Sequence, residues 1–92
     1  MFFTASKVDA NQGVIIACLR EEGASVFSLS GVGKGCPDLL VGIDGETYLV
    51  EVKDGDKYPS AQALTRQQLK FIMNWHGSSV VILRDVETAR SW

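Results

Sequence analysis

Two short apolar runs, Leu39-Leu40-Val41-Gly42-Ile43 and Thr47-Tyr48-Leu49-Val50, flank the dipeptide Asp44-Gly45. Asp-Gly between such runs marks a β-hairpin, because a type I′ turn needs positive φ at both central residues. A two-residue loop sets Ile43 opposite Glu46, Leu40 opposite Leu49 and Asp38 opposite Glu51. A four-residue loop from Ile43 to Glu46 keeps that register. A loop of odd length breaks it, and with it every pairing that follows.

The register has a chemical consequence. Directly opposed residues of an antiparallel pair project from one face, with Cβ atoms about 5 Å apart. Asp38 and Glu51 are therefore predicted to aim two carboxylates at one small volume. Lys53, two residues past Glu51, shares the face by the period of two. Like charges so placed weaken a sheet unless the strand end is exposed or a cation joins them. Two converging carboxylates suit Mg²⁺, a hard ion that takes one or two of them and keeps several waters. Taken singly, each residue also reads as part of a turn or a solvated strand face. Linked by the register, they point to a metal site.

Pro37-Asp38 followed by Glu51-Val52-Lys53 has the form PD…ExK, the signature of the PD-(D/E)xK nuclease superfamily. The flanking segments, Gly33-Lys34-Gly35-Cys36 before it and Leu64-Thr65-Arg66-Gln67-Gln68 after it, closely resemble the VRR-Nuc (virus-type replication and repair nuclease) domain. The likeness runs from about Asp9 to Leu83 and is to the stand-alone, phage-type form. It implies a restriction-endonuclease-like core and a divalent-metal-dependent endonuclease. Asp38, Glu51 and the Val52 backbone carbonyl would hold Mg²⁺ or Mn²⁺, and Lys53 and Gln68 would join the catalytic set. Members also carry a metal-binding glutamate on the first helix. The position aligned with it here is Gln12, which is neutral, so one anionic ligand is missing unless Asp9 substitutes. Gln12 can still coordinate through its amide oxygen, orient a water, or be an ordinary solvated helix residue.

At 92 residues the chain is read as one domain, residues 1–92, of α/β class. Such a chain buries only about 60% of its unfolded surface, and a small core favours oligomerisation. No run approaches a membrane span, and the first residues lack a signal-peptide pattern. Cys18 and Cys36 are too few for a disulfide framework and lack metal-ligand spacing, which fits reduced thiols and an intracellular setting, in phage or prophage terms a host cytoplasm. One histidine excludes the usual His-rich zinc sites. The net charge of −2 runs against the basic footprint of a nucleic-acid binder. Yet Lys34, Lys53, Lys57, Arg66 and Lys70 all fall near the proposed site in sequence, while Glu21-Glu22 and Asp85-Val86-Glu87 lie apart from it.

In chain order, residues 6–22 read as a helix capped by Ser6 or Asp9, ended at Gly23, with an apolar stripe of Val14, Ile15, Cys18 and Leu19. Residues 24–29 read as a strand. The glycine-rich segment 30–35 lacks the Walker spacing; it is either a flexible turn or a place where backbone and Lys34 meet a DNA phosphate. Segment 54–63 is either a solvated connection or a substrate loop using Lys57 and Tyr58. Thr65 with Gln68 fits a capping box opening a second long helix, which fully explains Gln68; the family resemblance instead turns Gln68 toward the active site. Leu69, Phe71, Ile72 and Trp75 are expected to pack that helix, with Gly77 ending it and His76 suiting its dipole. Residues 79–83 read as a buried strand, and Asp85 can cap a short terminal helix. Trp92 is either a core lid or a dimer contact.

The order α-β-β-β-α-β implies a mixed β-sheet with flanking helices. The expected function is phosphodiester hydrolysis in DNA. The family resemblance adds homodimers that cut branched DNA, four-way junctions included. Lys34, Lys57, Tyr58, Arg66 and Lys70 are the residues expected toward the DNA, from their charge or aromatic character and their place in the chain. No small-molecule cofactor or membrane is expected. The alternatives are a catalytically inactive DNA-binding or assembly module, or a nuclease for flaps, single strands or RNA.

Overall fold

In the computed structural model, residues 11–91 are described. Ser6, Asp9 and Trp92 lie outside them. The Asp44-Gly45 hairpin is the centre of the sheet. Both residues have positive φ, 52° and 80°, as a type I′ turn demands. They join β2 (Leu39–Ile43) to β3 (Glu46–Val52), with Leu40 opposite Leu49 and Ile43 opposite Glu46. β1 (Ser25–Ser28) adds to β2 antiparallel, and β4 (Val81–Leu83) adds to β3 parallel, giving a four-stranded mixed sheet in the order β1-β2-β3-β4. The parallel pair needs a crossover, and α2 (Pro59–Gln62) and α3 (Arg66–Asn74) lie in it.

Strand alternation separates two faces. Val26, Leu39, Val41, Val50, Val52 and Leu83 are buried and form the core with Ile15, Cys18 and Leu19 of α1 (Gln12–Glu21) and Ala89 of α4 (Val86–Ser91). The opposite face carries Phe27, Leu40 and Leu49, directly opposed across three strands. There Trp75, at the end of α3, closes a crevice with Leu40 and Leu49. Helices thus flank both faces of the sheet.

Several expectations change. The stripe of α1 runs through Gln12, Ile15, Cys18 and Leu19; Val14 is 56% exposed and faces out. Asn11 stands at the N-cap but makes no cap bond. Its amide reaches across the fold to the carbonyls of Lys53 (3.0 Å) and Arg84 (3.2 Å), which sets the helix's rotation. Helix α3 opens with the expected capping box but buries none of its residues. Leu69 is 48% and Trp75 43% exposed, so the apolar residues of this helix do not form core. It ends at Asn74, short of Gly77; Trp75 is extended and its indole lies against Gly77. β4 is an edge strand, with Val81 and Ile82 half-buried and only Leu83 buried. Segment 54–63 is not all loop, since α2 starts at Pro59.

Candidate functional site

Leu39, Val50 and Val52 point into the core, so Asp38, Glu51 and Lys53 alternate onto the other face at one end of the β2–β3 pair. The ladder stops one pair short of the expected Asp38–Glu51 opposition, at Leu39–Val50. Asp38 continues the contact with its side chain: Val52 N–H donates to its Oδ2 at 2.8 Å. Its carbonyl accepts from Leu29 N–H at 2.7 Å, which anchors the residue on its other side.

Glu51 and Lys53 are 3% and 7% exposed, burial that charged residues reach only when paired. Gln68 is the pairing element. Its Nε2 donates to Glu51 Oε2 at 3.0 Å, and its Oε1 accepts from Lys53 Nζ at 2.9 Å. The same Oε1 accepts from Thr65 N–H at 2.9 Å, while Gln68 N–H donates to Thr65 Oγ1 at 3.1 Å. The capping box and the turn toward the site are therefore one arrangement: the cap holds the amide oriented while it bridges Glu51 and Lys53. Lys53 Nζ also lies 4.0 Å from Glu51 Oε2.

Cys36, two residues before Asp38, feels both carboxylates. Burial raises its thiol pKa first, and the charges of Glu51 and then Asp38 raise it further. The two acids thus share a neighbourhood around one half-buried sulfur. The loop before it is held against α3. Gly33, Lys34 and Gly35 all have positive φ, and a Cβ on Gly35 would run into the Gln67 carbonyl. Only glycine lets the loop approach this turn of α3.

Gln12 is 5% exposed, and its Oε1 has no hydrogen-bond partner. It sits in the first turn of α1, beside Asn11, whose amide is bound to the Lys53 carbonyl. A buried orphan acceptor costs about 1–3 kcal/mol unless something donates to it or it ligates a cation. Among the described residues no group of three or more His, Cys, Asp or Glu side chains could hold a metal. The carboxylates of Asp38 and Glu51 are too few ligands for a closed zinc site, but such a pair suits Mg²⁺ or Mn²⁺ that keeps its waters.

Of the expected DNA contacts, Lys34 and Lys70 are brought together in a groove of about 450 Å³ with Gln67, Phe71, Asn74 and Trp75. Lys57, Tyr58 and Arg66 are exposed and do not line it. Phe71 and Trp75, stacked at 5.5 Å and 15°, were expected as packing; their spacing of four on a helix signals a shared face but not its exposure. Asn11, the tie between α1 and the site strand, carries no local signal at all. No helix among the described residues is long and apolar enough to cross a membrane. Comparison with family models, with curated proteins and with solved structures finds no match to this chain.

Proposed function

We propose that this chain is a divalent-metal-dependent DNA endonuclease with a restriction-endonuclease-like core of the VRR-Nuc type. The observation that carries the reading is the cluster of Asp38, Glu51, Lys53 and Gln68 on one face at the end of the central hairpin. Asp38 and Glu51, with the Val52 carbonyl and Gln12 Oε1, would hold Mg²⁺ or Mn²⁺. Bound there, the ion supplies Lewis acidity toward a phosphate oxygen and acidifies a water. Lys53 presents a fixed ammonium to charge that builds on the phosphate, and its burial strengthens that interaction. Gln68 bridges Lys53 and Glu51 through its amide, with Nζ and Oε2 4.0 Å apart. By resemblance, the substrate is branched DNA such as a four-way junction, cut by a homodimer whose two-fold axis addresses two equivalent strands.

The test is cleavage of labelled four-way junctions, flaps and single strands by the purified protein in Mg²⁺ or Mn²⁺. Cleavage that disappears in Asp38→Ala and in Lys53→Met supports the enzyme. A second reading, an inactive DNA-binding module, is favoured by one observation: the helix residue facing this role is neutral Gln12. Binding to these DNAs without cleavage in either metal would establish the module and end the enzyme.

A further inference from the structure

The groove between the glycine-rich loop and α3 is not explained by hydrolysis alone. Lys34 comes from the loop, while Gln67, Lys70, Phe71 and Asn74 come from α3, and Trp75 closes the end. The lining holds two cations, two amides and two aromatic rings, and no carboxylate, in a chain of net charge −2. Phe71 and Trp75 form an offset stack with rings 15° from parallel. The indole lies against Gly77, where a Cβ would come within 2.7 Å of its Nε1. Gln67 lines the groove and Gln68, the next residue, contacts Glu51 and Lys53.

We propose that this groove binds single-stranded DNA, with an unpaired base stacked on the Phe71–Trp75 pair and its phosphates against Lys34 and Lys70. The proposal rests on the nuclease reading and narrows its substrate to DNA that carries an unpaired stretch. Positive side chains tracking a backbone, with aromatic rings offering a π-face to any base, are the chemistry of single-strand binding. A second copy of the chain is the competing occupant. The lining argues against it, because interface centres are depleted in lysine. The exposed apolar residues Leu69 and Met73 of the same helix do not line the groove.

Binding is read by fluorescence anisotropy with a labelled oligothymidylate about 12 nucleotides long, using the wild-type protein in EDTA so that no metal supports cleavage. Trp75→Leu and Phe71→Leu, which keep apolar bulk and lose the flat ring, are each expected to weaken binding by about tenfold. Trp75→Tyr is expected to retain most of the affinity, which also guards against misreading an unfolded variant. A blunt duplex is expected to bind weakly, with the same affinity in Trp75→Leu as in wild type. Unchanged oligothymidylate affinity in Trp75→Leu would overturn the proposal. So would tighter binding of oligouridylate, or a halved mass for Trp75→Leu in light scattering, the mark of a second copy in the groove. The nuclease reading fails separately: wild-type protein that binds the strand through Trp75 but cleaves no DNA in Mg²⁺ or Mn²⁺ leaves the groove and removes the enzyme.

Discussion

Gln68 meets two demands with one amide, and the chemistry of that amide is not interchangeable. Its oxygen accepts from Thr65 N–H and Lys53 Nζ, and its nitrogen donates to Glu51. Gln68→Ala removes the side-chain half of the capping box, the acceptor for Thr65 N–H, and leaves buried Lys53 and Glu51 without their bridging amide, so a loss of about 1–3 kcal/mol in urea melts is expected. Gln68→Glu is more informative. Glutamate also completes a capping box, so the helix start survives. It replaces a donor by a second anion against Glu51, with Lys53 able to offset only one of them. Repulsion makes the folded state hold a proton more tightly than the unfolded chain. Stability of this variant relative to wild type is then expected to fall as pH rises through the carboxylate range, and to recover on adding Mg²⁺. A Gln68→Glu protein whose melting follows wild type at every pH would show that this amide does not face Glu51 in solution.

Among the elements, the glycine-rich loop and α3 position each other through one contact. Gly35 combines φ of 79° with a backbone approach to Gln67 that leaves no room for a Cβ. Gly35→Ala is expected to cost about 2 kcal/mol or more, because the left-handed strain and the overlap must both be relieved by moving α3. Gly31→Ala meets open space and no positive φ, so a change within about 0.5 kcal/mol is expected in the same denaturation series. The hairpin and the capping box were legible in the sequence because each is specified by residues within a few positions of one another. The hairpin's register also gave the shared face of Asp38 and Glu51, while the end of the ladder at Leu39–Val50 was not legible. The exposure of α3 was not legible: spacing shows which side of a helix is apolar, not what covers it. Nor was the turn of α1 that buries Gln12 instead of Val14, because Asn11 sets it through Lys53, distant in sequence. The terminal helix α4 was legible, and it carries a pH signature. Thr88 donates to Asp85 through its hydroxyl and its backbone N–H, both at 2.7 Å, and these bonds, the hydroxyl's first, lower the Asp85 pKa. A carboxyl with a lowered folded-state pKa stabilises above its unfolded value and loses that contribution as pH falls through the folded one. The Tm gap between wild type and Asp85→Ala is expected to be full near neutral pH and to close in acid.

At the scale of the whole molecule, the surface charge bears on the DNA binding proposed above. A net charge of −2 gives no general attraction for a polyanion, so long-range steering is weak and affinity must come from a few placed cations. Lys34 and Lys70 share the groove, and Lys53 stands buried beside the site. Each neutralised phosphate of a single strand contributes about −0.7 to the slope of log K against log salt. Contacts confined to these lysines therefore give a slope of about −2. A domain that gripped DNA across its surface, through Lys57 and Arg66 as well, would give a slope nearer −4. Titration of labelled single-stranded DNA from low to moderate salt in EDTA measures the difference. The double variant Lys34→Ala with Lys70→Ala is expected to flatten the slope by about 1 to 2, whereas Lys57→Ala leaves it unchanged. The stacking part of the affinity is insensitive to salt, so Trp75→Leu is expected to lower binding at every salt concentration with the slope intact. Parallel loss in one variant and a changed slope in the other would separate ring from charge within a single groove. A steep slope carried by Lys57 and Arg66 would instead locate the DNA on the exposed face beyond the α3 groove.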